Sequence, residues 1–294
     1  MAYRTDLAVE LLENLRGRDE LSGVSEREYE REGLHIHEAE VTAERAAQLL
    51  GKPCGRYLTL SLEALSRREE EAFPRSVRVL AALIETLLPP LDSAAPVLIA
   101  GLGSRSITPD AVGPRSADHV IATRHLISRS PEFFASWRPV SVLAPGVLGQ
   151  TGVETGEIVR GVLDHVRPRA VIAIDALAAG RLSRLVRTVQ LADTGIVPGS
   201  GVNNARAALD RQTLGVPVLS IGVPTVADGG SLAHEIAQQL DGAQCEALDD
   251  LSQPFIITTR DIDREVADTA RLIGYAVNMA LQHISVEEID LYLS

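Results

Sequence analysis

The stretch that decides the fold is Ala170-Val171-Ile172-Ala173-Ile174, which Asp175 follows directly. All five residues are apolar, and such an unbroken run is typical of a strand that is covered on both faces. Runs of the same kind recur at 97–100, 140–143 and 218–223. They alternate with helical patterns at about 76–88, 154–166 and 262–281. The sequence therefore predicts an α/β fold with a mostly parallel central sheet that helices flank on both faces.

The first 65 residues follow a different pattern. Apolar and polar residues alternate at Leu34-His35-Ile36-His37 and again over 57–62, as expected of strands with one solvated face. We therefore expect residues 7–65 to form an N-terminal elaboration of antiparallel strands, added to the core as a further layer. No internal repeat or low-complexity segment interrupts the chain, so residues 1–294 are interpreted as a single domain.

The composition disfavours several classes of function. The chain has 294 residues, of which 45% are hydrophobic, and a formal net charge of −12. With no basic face and only 3% aromatic residues, direct nucleic-acid binding is disfavoured. No apolar run approaches the length of a membrane span, so we expect a soluble cytoplasmic protein without a membrane partner. The two cysteines, Cys54 and Cys245, are far apart and indicate neither a disulfide framework nor a zinc site.

Two aspartates follow predicted strands of the parallel sheet. Asp110 ends the glycine-rich loop after the run at 97–100, and Asp175 comes directly after Ile174. Because ligands gather beyond the carboxyl ends of parallel strands, both side chains are expected to face one cleft if the strands are neighbours. Two close carboxylates raise the pKa of one of them, and the resulting acid and base can activate water and protonate a leaving group.

A purely structural interpretation of the same aspartates stays open. Thr108-Pro109-Asp110 is also a favourable helix N-terminus, with Thr108 as the N-cap and proline at the first helical position. An acid is favoured there by the helix dipole. Asp175 could equally cap the element that follows it.

Two short motifs give weak signals. Asp193-Thr194-Gly195 matches the triplet of aspartic proteases, but Ile196 stands where those enzymes usually have serine or threonine, and a three-residue match is common by chance. Gly101-Leu102-Gly103 is similar to the start of a dinucleotide-binding loop, but Ser106 replaces the third glycine. Neither motif predicts a function by itself.

A second glycine-rich loop runs from 195 to 201 and contains Gly199 and Gly201. It is either a surface turn or a backbone cradle for an extended substrate. In the second interpretation these glycines, together with Gly101 and Gly103, let the substrate backbone approach closely.

Nine segments in a fixed order carry a resemblance to a known family. They are Arg4–Glu10, Gly101–Gly103, Thr108–Pro114, Thr123–Leu126, Pro145–Gly152, Ile172–Ala179, Asp193–Ile196, Pro198–Val202 and Ile221–Val226. Together they resemble the germination protease of spore-forming bacteria, which degrades small acid-soluble spore proteins. This collective match spans most of the chain and is more specific than any single motif.

The resemblance implies an endopeptidase of the forespore or spore core, with a fold similar to that of hydrogenase-maturation proteases. It implies that Asp110 and Asp175 are catalytic and that neither a metal nor a cofactor takes part. It also implies an inactive precursor with a pro-segment over residues 1–6, cut between Asp6 and Leu7. A homo-oligomer, by resemblance a tetramer, is expected.

Two alternatives remain at this point. In one, Asp110 and Asp175 are ligands of a divalent ion in a metal-dependent, maturation-type peptidase, since carboxylates suit such an ion as well as they suit acid–base work. In the other, the chain retains the fold as a non-catalytic binding protein.

Overall fold

The computed structural model describes residues 5–15, 22–200, 206–230, 232 and 255–294. These residues form a sheet of nine strands. The strands are β1 (Val24–Arg31), β2 (Leu34–Val41), β3 (Gly55–Ser61), β4 (Val97–Gly101), β5 (Val140–Leu143), β6 (Ala170–Ala179), β7 (Thr188–Ala192), β8 (Val218–Asp228) and β9 (Ile256–Ile257). All four apolar runs lie in strands, so that prediction is confirmed.

The strands lie side by side in the order β1-β2-β3-β7-β8-β6-β4-β5, and β9 pairs with β8. The pairings among β5, β4, β6 and β8 are parallel, whereas the other five pairings are antiparallel. The α/β fold class is confirmed, but the sheet is mixed rather than mostly parallel. The reason is that the N-terminal strands extend the same sheet through β7 instead of forming a separate layer.

Helices cover the sheet along its length. In the described residues they are α1 (Ala8–Leu15), α2 (Glu44–Leu50), α3 (Glu63–Ser66), α4 (Ala72–Leu87), α5 (Val112–Asp118), α6 (Arg124–Arg129), α7 (Pro131–Phe134), α8 (Leu148–Thr151), α9 (Thr155–Val166), α10 (Arg211–Leu214), α11 (Ile262–Gln282) and α12 (Val286–Leu293). The helices predicted from periodicity correspond to α4, α9 and α11. None of these described helices is both long enough and apolar enough to cross a membrane.

The two faces of β6 pack against different helices. Ile172 and Ile174 join the core cluster that contains the buried residues of α4 and α11. Val171 and Ala173 point to the other face and pack with α9. Because successive side chains of a strand point to opposite faces, helices on both sides require an unbroken apolar run. The predicted flanking of the sheet on both faces is confirmed.

The N-terminal strands are antiparallel as predicted, but β2 and β3 are covered on both faces, whereas β1 is largely exposed. Ile36 and Leu58 pack into the cluster that includes α4. Ala39 and Tyr57 lie in a second cluster with Leu12 of α1. The expectation of one solvated face is therefore wrong for β2 and β3, because α1 and α2 cover the face that the alternating pattern assigned to water.

Candidate active site

Asp175 lies on β6 at the point where the neighbouring strand β4 has ended. The last residue of β4, Gly101, pairs with Ile174, while β6 continues beside β8 as far as Ala179. The expectation that Asp175 directly follows a strand is therefore wrong, and it caps no helix. Its Oδ1 accepts a hydrogen bond from the Ala176 N–H at 2.9 Å, and the residue is 5% exposed.

Asp110 is the last residue of a 3₁₀ turn, Thr108–Asp110. Its Oδ2 accepts a hydrogen bond from the Ser104 N–H at 2.8 Å, so the carboxyl group turns back towards the loop after β4. Thr108 does not act as an N-cap, because the helical turn has no side-chain cap. Its hydroxyl instead donates to Asp263 Oδ1 of α11 at 2.7 Å. Neither aspartate caps a helix, but the predicted helix start with Pro109 and Asp110 in its first turn is present.

Gly103 allows this close approach of Asp110 to the loop. Its φ is +105°, a conformation that residues with a side chain rarely adopt. A Cβ at this position would lie 2.1 Å from the backbone oxygen of Asp110 and 2.9 Å from its Oδ1. The loop can therefore close around Asp110 only with glycine at position 103.

Asp110 and Asp175 line one cleft of about 590 Å³. Most of the other lining is apolar or backbone; the apolar side chains are Leu102, Ile107, Pro109, Val147, Leu148, Leu177, Pro198, Val226 and Ile256. A concave, largely apolar site with a few convergent polar groups is typical of a binding or active site.

Burial changes the ionisation of both carboxyl groups. Desolvation raises the pKa of Asp175 well above its ordinary value, and the negative charge of Asp110 raises it further. Desolvation also raises the pKa of Asp110, although the hydrogen bond from Ser104 opposes the change. The pair can therefore hold one proton at a pH where two exposed aspartates would both be ionised.

Asp6 lies in the same cleft. Its N–H donates to the Ala178 carbonyl oxygen at 2.9 Å, and its Oδ2 accepts from the Ala178 N–H at 2.9 Å. The next residue, Leu7, is fully buried against the far end of β6. The Asp6-Leu7 bond singled out from the sequence thus lies beside the candidate active site, while residues 1–4 of the suggested pro-segment lie outside the described residues.

The four glycines expected to contact substrate fall into three groups. Gly103 and Gly199 line the cleft. Gly101 is buried instead against α5, where a Cβ would lie 2.3 Å from the Gly113 carbonyl oxygen. This packing explains the glycine without any contact to a substrate. Gly201 lies outside the described residues.

Three residues of the site were not singled out from the sequence, although Ser200 and Thr225 lie within segments that carry the family resemblance. Lys52 and Ser200 line a smaller cavity of about 280 Å³, which shares Asp6 and Leu177 with the cleft. Thr225 of β8 lines the cleft, is fully buried, and its hydroxyl has no hydrogen-bond partner in the structure. All three come from parts of the chain far from both aspartates, and only the topology of the sheet brings them together.

Asp193 and the histidines of the alternating N-terminal segment lie outside the cleft. Asp193 of the D-T-G triplet does not line the cleft, and its carboxyl accepts from the Arg56 N–H at 2.8 Å. His37 Nε2 lies 2.8 Å from Glu26 Oε2 across β1 and β2. In the part of the chain that the structure describes, no three His, Cys, Asp or Glu side chains are grouped so that they could hold a metal ion.

Two desolvated carboxyl groups in one apolar cleft of an α/β fold make this cleft the candidate active site of a hydrolase. Comparison with known proteins agrees, since the sequence profile of the family described as "Germination protease" matches residues 5–240. The chain belongs to the germination protease family and is therefore a spore protease.

Individual relatives support this assignment. The germination protease of Caldanaerobacter subterraneus subsp. tengcongensis is 40% identical over 96% of this chain and 95% of its own length. That of Clostridium tetani is 34% identical over the full length of both chains. That of Bacillus subtilis is 44% identical over 79% of this chain and 65% of its own length.

Among solved structures, the [NiFe] hydrogenase maturation protease HycI from Thermococcus kodakarensis KOD1 is similar, with a TM-score of 0.37 and 16% identity. It matches 67% of this chain and 99% of its own. The similarity is too slight to bear on the site.

Proposed function

We propose that this chain is an endopeptidase that hydrolyses small acid-soluble spore proteins during germination, with Asp110 and Asp175 as its acid–base pair. The observation that carries the proposal is that one apolar cleft contains two carboxyl groups, both with raised pKa values. Such a pair can supply both a base and an acid near neutral pH. Membership of the germination protease family supports the substrate class.

The surroundings of the two carboxyl groups suggest which is the acid. Asp175 is the more deeply buried, and the charge of Asp110 further opposes its ionisation. It is therefore the protonated partner, which donates a hydrogen bond to the carbonyl oxygen of the scissile peptide. Each carboxylate accepts one backbone hydrogen bond, but Asp110 is only half-buried, so it is the ionised base that takes a proton from water.

The proton transfers balance over one reaction cycle. As Asp110 removes a proton from water, the oxygen adds to the carbonyl carbon and the proton of Asp175 passes to the carbonyl oxygen. In the second step Asp110 gives its proton to the leaving nitrogen, Asp175 recovers its proton from a hydroxyl of the intermediate, and the C–N bond breaks. Both carboxyl groups return to their starting states, and a new carboxyl end and an amine are released.

The precursor hypothesis is part of the proposal. Asp6 lies in the cleft with Asp175, and its charge contributes to the raised pKa of Asp175. We therefore propose that the chain is made inactive and that cleavage between Asp6 and Leu7 removes residues 1–6. By resemblance to the family, we further propose a single peptidase domain over residues 1–294, a homotetramer and a location in the spore core. Light scattering tests the oligomeric state.

The test uses a purified small acid-soluble spore protein and mass spectrometry of the fragments. The wild-type chain, Asp110→Asn and Asp175→Asn are compared, each beginning at Leu7 so that removal of the pro-segment does not affect the result. Asparagine keeps the shape of the side chain and removes its acid–base function. We expect each variant to lose at least about 100-fold in kcat/KM, because acid–base groups contribute about 100- to 10,000-fold each.

Asp193→Asn is the matched control, because Asp193 is another aspartate with a raised pKa and lies outside the cleft. It should cleave at the wild-type rate. Near-normal cleavage by folded Asp175→Asn would refute the proposed acid–base pair. Inhibition of the wild type by a chelator, reversed by one metal ion, would instead favour the metal-dependent peptidase.

A further inference from the structure

The carboxylate of Asp6 occupies a site that is built to receive it. Ser200 Oγ donates to Asp6 Oδ1 at 2.6 Å, and the Ala178 N–H donates to Oδ2 at 2.9 Å. Each carboxylate oxygen thus has a donor from a different part of the chain, and Asp6 is only 7% exposed. Donors that converge on a desolvated carboxylate are the usual elements of an anion-binding pocket.

A cation lines the same cavity as this carboxylate. Lys52, the only lysine in the chain, lines the 280 Å³ cavity together with Asp6 and Ser200. Burial lowers the pKa of its ammonium group, and the charge of Asp6 acts in the opposite direction. A partly buried lysine is costly unless an anion compensates it, so the cavity favours a negatively charged occupant.

The backbone around Asp6 is held in place by contacts outside its own segment. The Asp6 N–H donates to Ala178 on β6, and Gln190 Nε2 donates to the Asp6 carbonyl oxygen at 3.1 Å. The side chain of Gln190 also accepts from the Ala8 N–H at 2.6 Å. Asp6 therefore lies beside β6 as the residue of an added strand would, with its side chain in the cavity.

We infer that Lys52, Ser200 and the Ala178 N–H form a pocket for the acidic side chain that precedes the scissile bond of the substrate, and that Asp6 fills this pocket in the uncut chain. The inference rests on the proposed endopeptidase activity, to which it adds a basis for the choice of bond. A substrate with glutamate or aspartate at this position can pair with Lys52 only after Asp6 has left. A neutral residue leaves the ammonium group without a partner.

The first experiment measures selectivity rather than rate. Two peptides are used that differ only in having Glu or Gln before the scissile bond. The host is the chain that begins at Leu7, the form that the proposed cut leaves, in which the pocket contains no carboxylate of its own. We expect this chain to cleave the Glu peptide about 10- to 100-fold better in kcat/KM, as a hydrogen bond to a charged group implies.

Adding Lys52→Met keeps the aliphatic stem and removes the charge. The preference for Glu over Gln should fall to within about 3-fold, while cleavage of the Gln peptide continues. Ser200→Ala should weaken the preference less, because it removes one neutral donor. Arg206→Met is the matched control, since Arg206 is a cation that lines the larger cleft instead of this cavity and pairs with Glu154 at 3.3 Å. The preference for Glu should survive this substitution.

A preference for Glu that survives Lys52→Met would overturn the pocket while leaving the endopeptidase intact. Loss of cleavage of both peptides in every chain, wild type included, would instead refute the proposed activity.

A second measurement needs no turnover. Because Lys52 is the only lysine, its methylation by formaldehyde and a hydride donor can be followed by mass spectrometry. A peptide ending in Glu should slow the methylation of Lys52 in the chain that begins at Leu7, whereas the same peptide ending in Gln should do so several-fold less. Equal protection by the two peptides would overturn the inference even if the chain were inactive.

Discussion

Replacing Gly103 by alanine tests whether the loop after β4 determines the position of Asp110. In the structure Gly103 has a φ of +105°, and an added Cβ would lie 2.1 Å from the Asp110 backbone oxygen. Ordinary contacts of a Cβ begin near 3.4 Å, so the two segments must separate by about 1 Å. The atom that has to move belongs to the backbone, and no side-chain rotation can relieve the contact.

The size of the effect follows from two separate costs. A residue other than glycine in this region of φ costs about 1–3 kcal/mol, and each kcal/mol lowers the melting temperature of a chain of this size by roughly 2–4 °C. The activity should fall further, because a displacement of a catalytic group by about 1 Å can cost about 100-fold. We therefore expect Gly103→Ala to melt roughly 5 °C lower and to lose about 100-fold in kcat/KM.

Gly149→Ala provides the control. Gly149 lines the same cleft, has an ordinary φ and has no atom within 4 Å of the position that a Cβ would take. It lies in α8, where alanine is the better helix former, so its melting temperature should not fall. Calorimetry and peptide hydrolysis on the two variants give both readouts. If Gly103→Ala cleaved as fast as Gly149→Ala, the loop would not determine the position of Asp110.

Three further predictions concern the ionisation and polarity of the cleft. The profile of kcat/KM against pH should be bell-shaped, with its acidic limb above the ordinary pKa of aspartate because the pKa of Asp110 is raised; Asp193→Asn should not move it. Asp175→Asn should melt at a higher temperature than the wild type at pH 7 and at nearly the same temperature below pH 4. The pKa of Asp175 is raised on folding, so the stability of the wild type falls as the pH rises from the pKa of Asp175 in the unfolded chain towards its pKa in the folded chain. Calorimetry at several pH values measures the difference in melting temperature between the two proteins. A difference that did not change with pH would refute this reasoning. Thr225→Val should leave the melting temperature unchanged or slightly raised, since the buried hydroxyl has no hydrogen-bond partner to lose. If the substrate provides that partner, the substitution should reduce kcat/KM. Unaltered kinetics would exclude a contact between Thr225 and the substrate.

The parallel part of the fold could be predicted because burial on both faces leaves a direct mark on the sequence. The runs that became β4, β5, β6 and β8 are continuous for that reason. β7, with the sequence TVQLA, has no such mark. It forms because β3 on one side and β8 on the other offer antiparallel partners. Because β7 was not predicted from the sequence, nothing linked the N-terminal strands to the central sheet, and they were placed in a separate layer.

The candidate site was predictable only in part. A polar residue after an apolar run indicated Asp175 and Asp110, yet the same rule placed the end of β6 five residues too early, because it took the first charged residue for the end of the strand. Asp6, Lys52 and Ser200 meet through contacts across most of the chain. Contacts between residues so far apart in the sequence leave no local sequence pattern, so the pocket around Asp6 could be identified only from the structure.

The position of the cleft follows from the unequal lengths of neighbouring strands. β4 ends at Gly101, whereas β6 and β8 continue together to Ala179 and Asp228. The side of β6 that faced β4 is therefore free of a partner strand from Asp175 onwards, and backbone groups there must find other partners. Ala178 finds them in Asp6, through both its N–H and its carbonyl oxygen. The same early end of β4 thus exposes the buried carboxyl of Asp175 to the cleft and creates an edge on which an extended peptide can lie beside it.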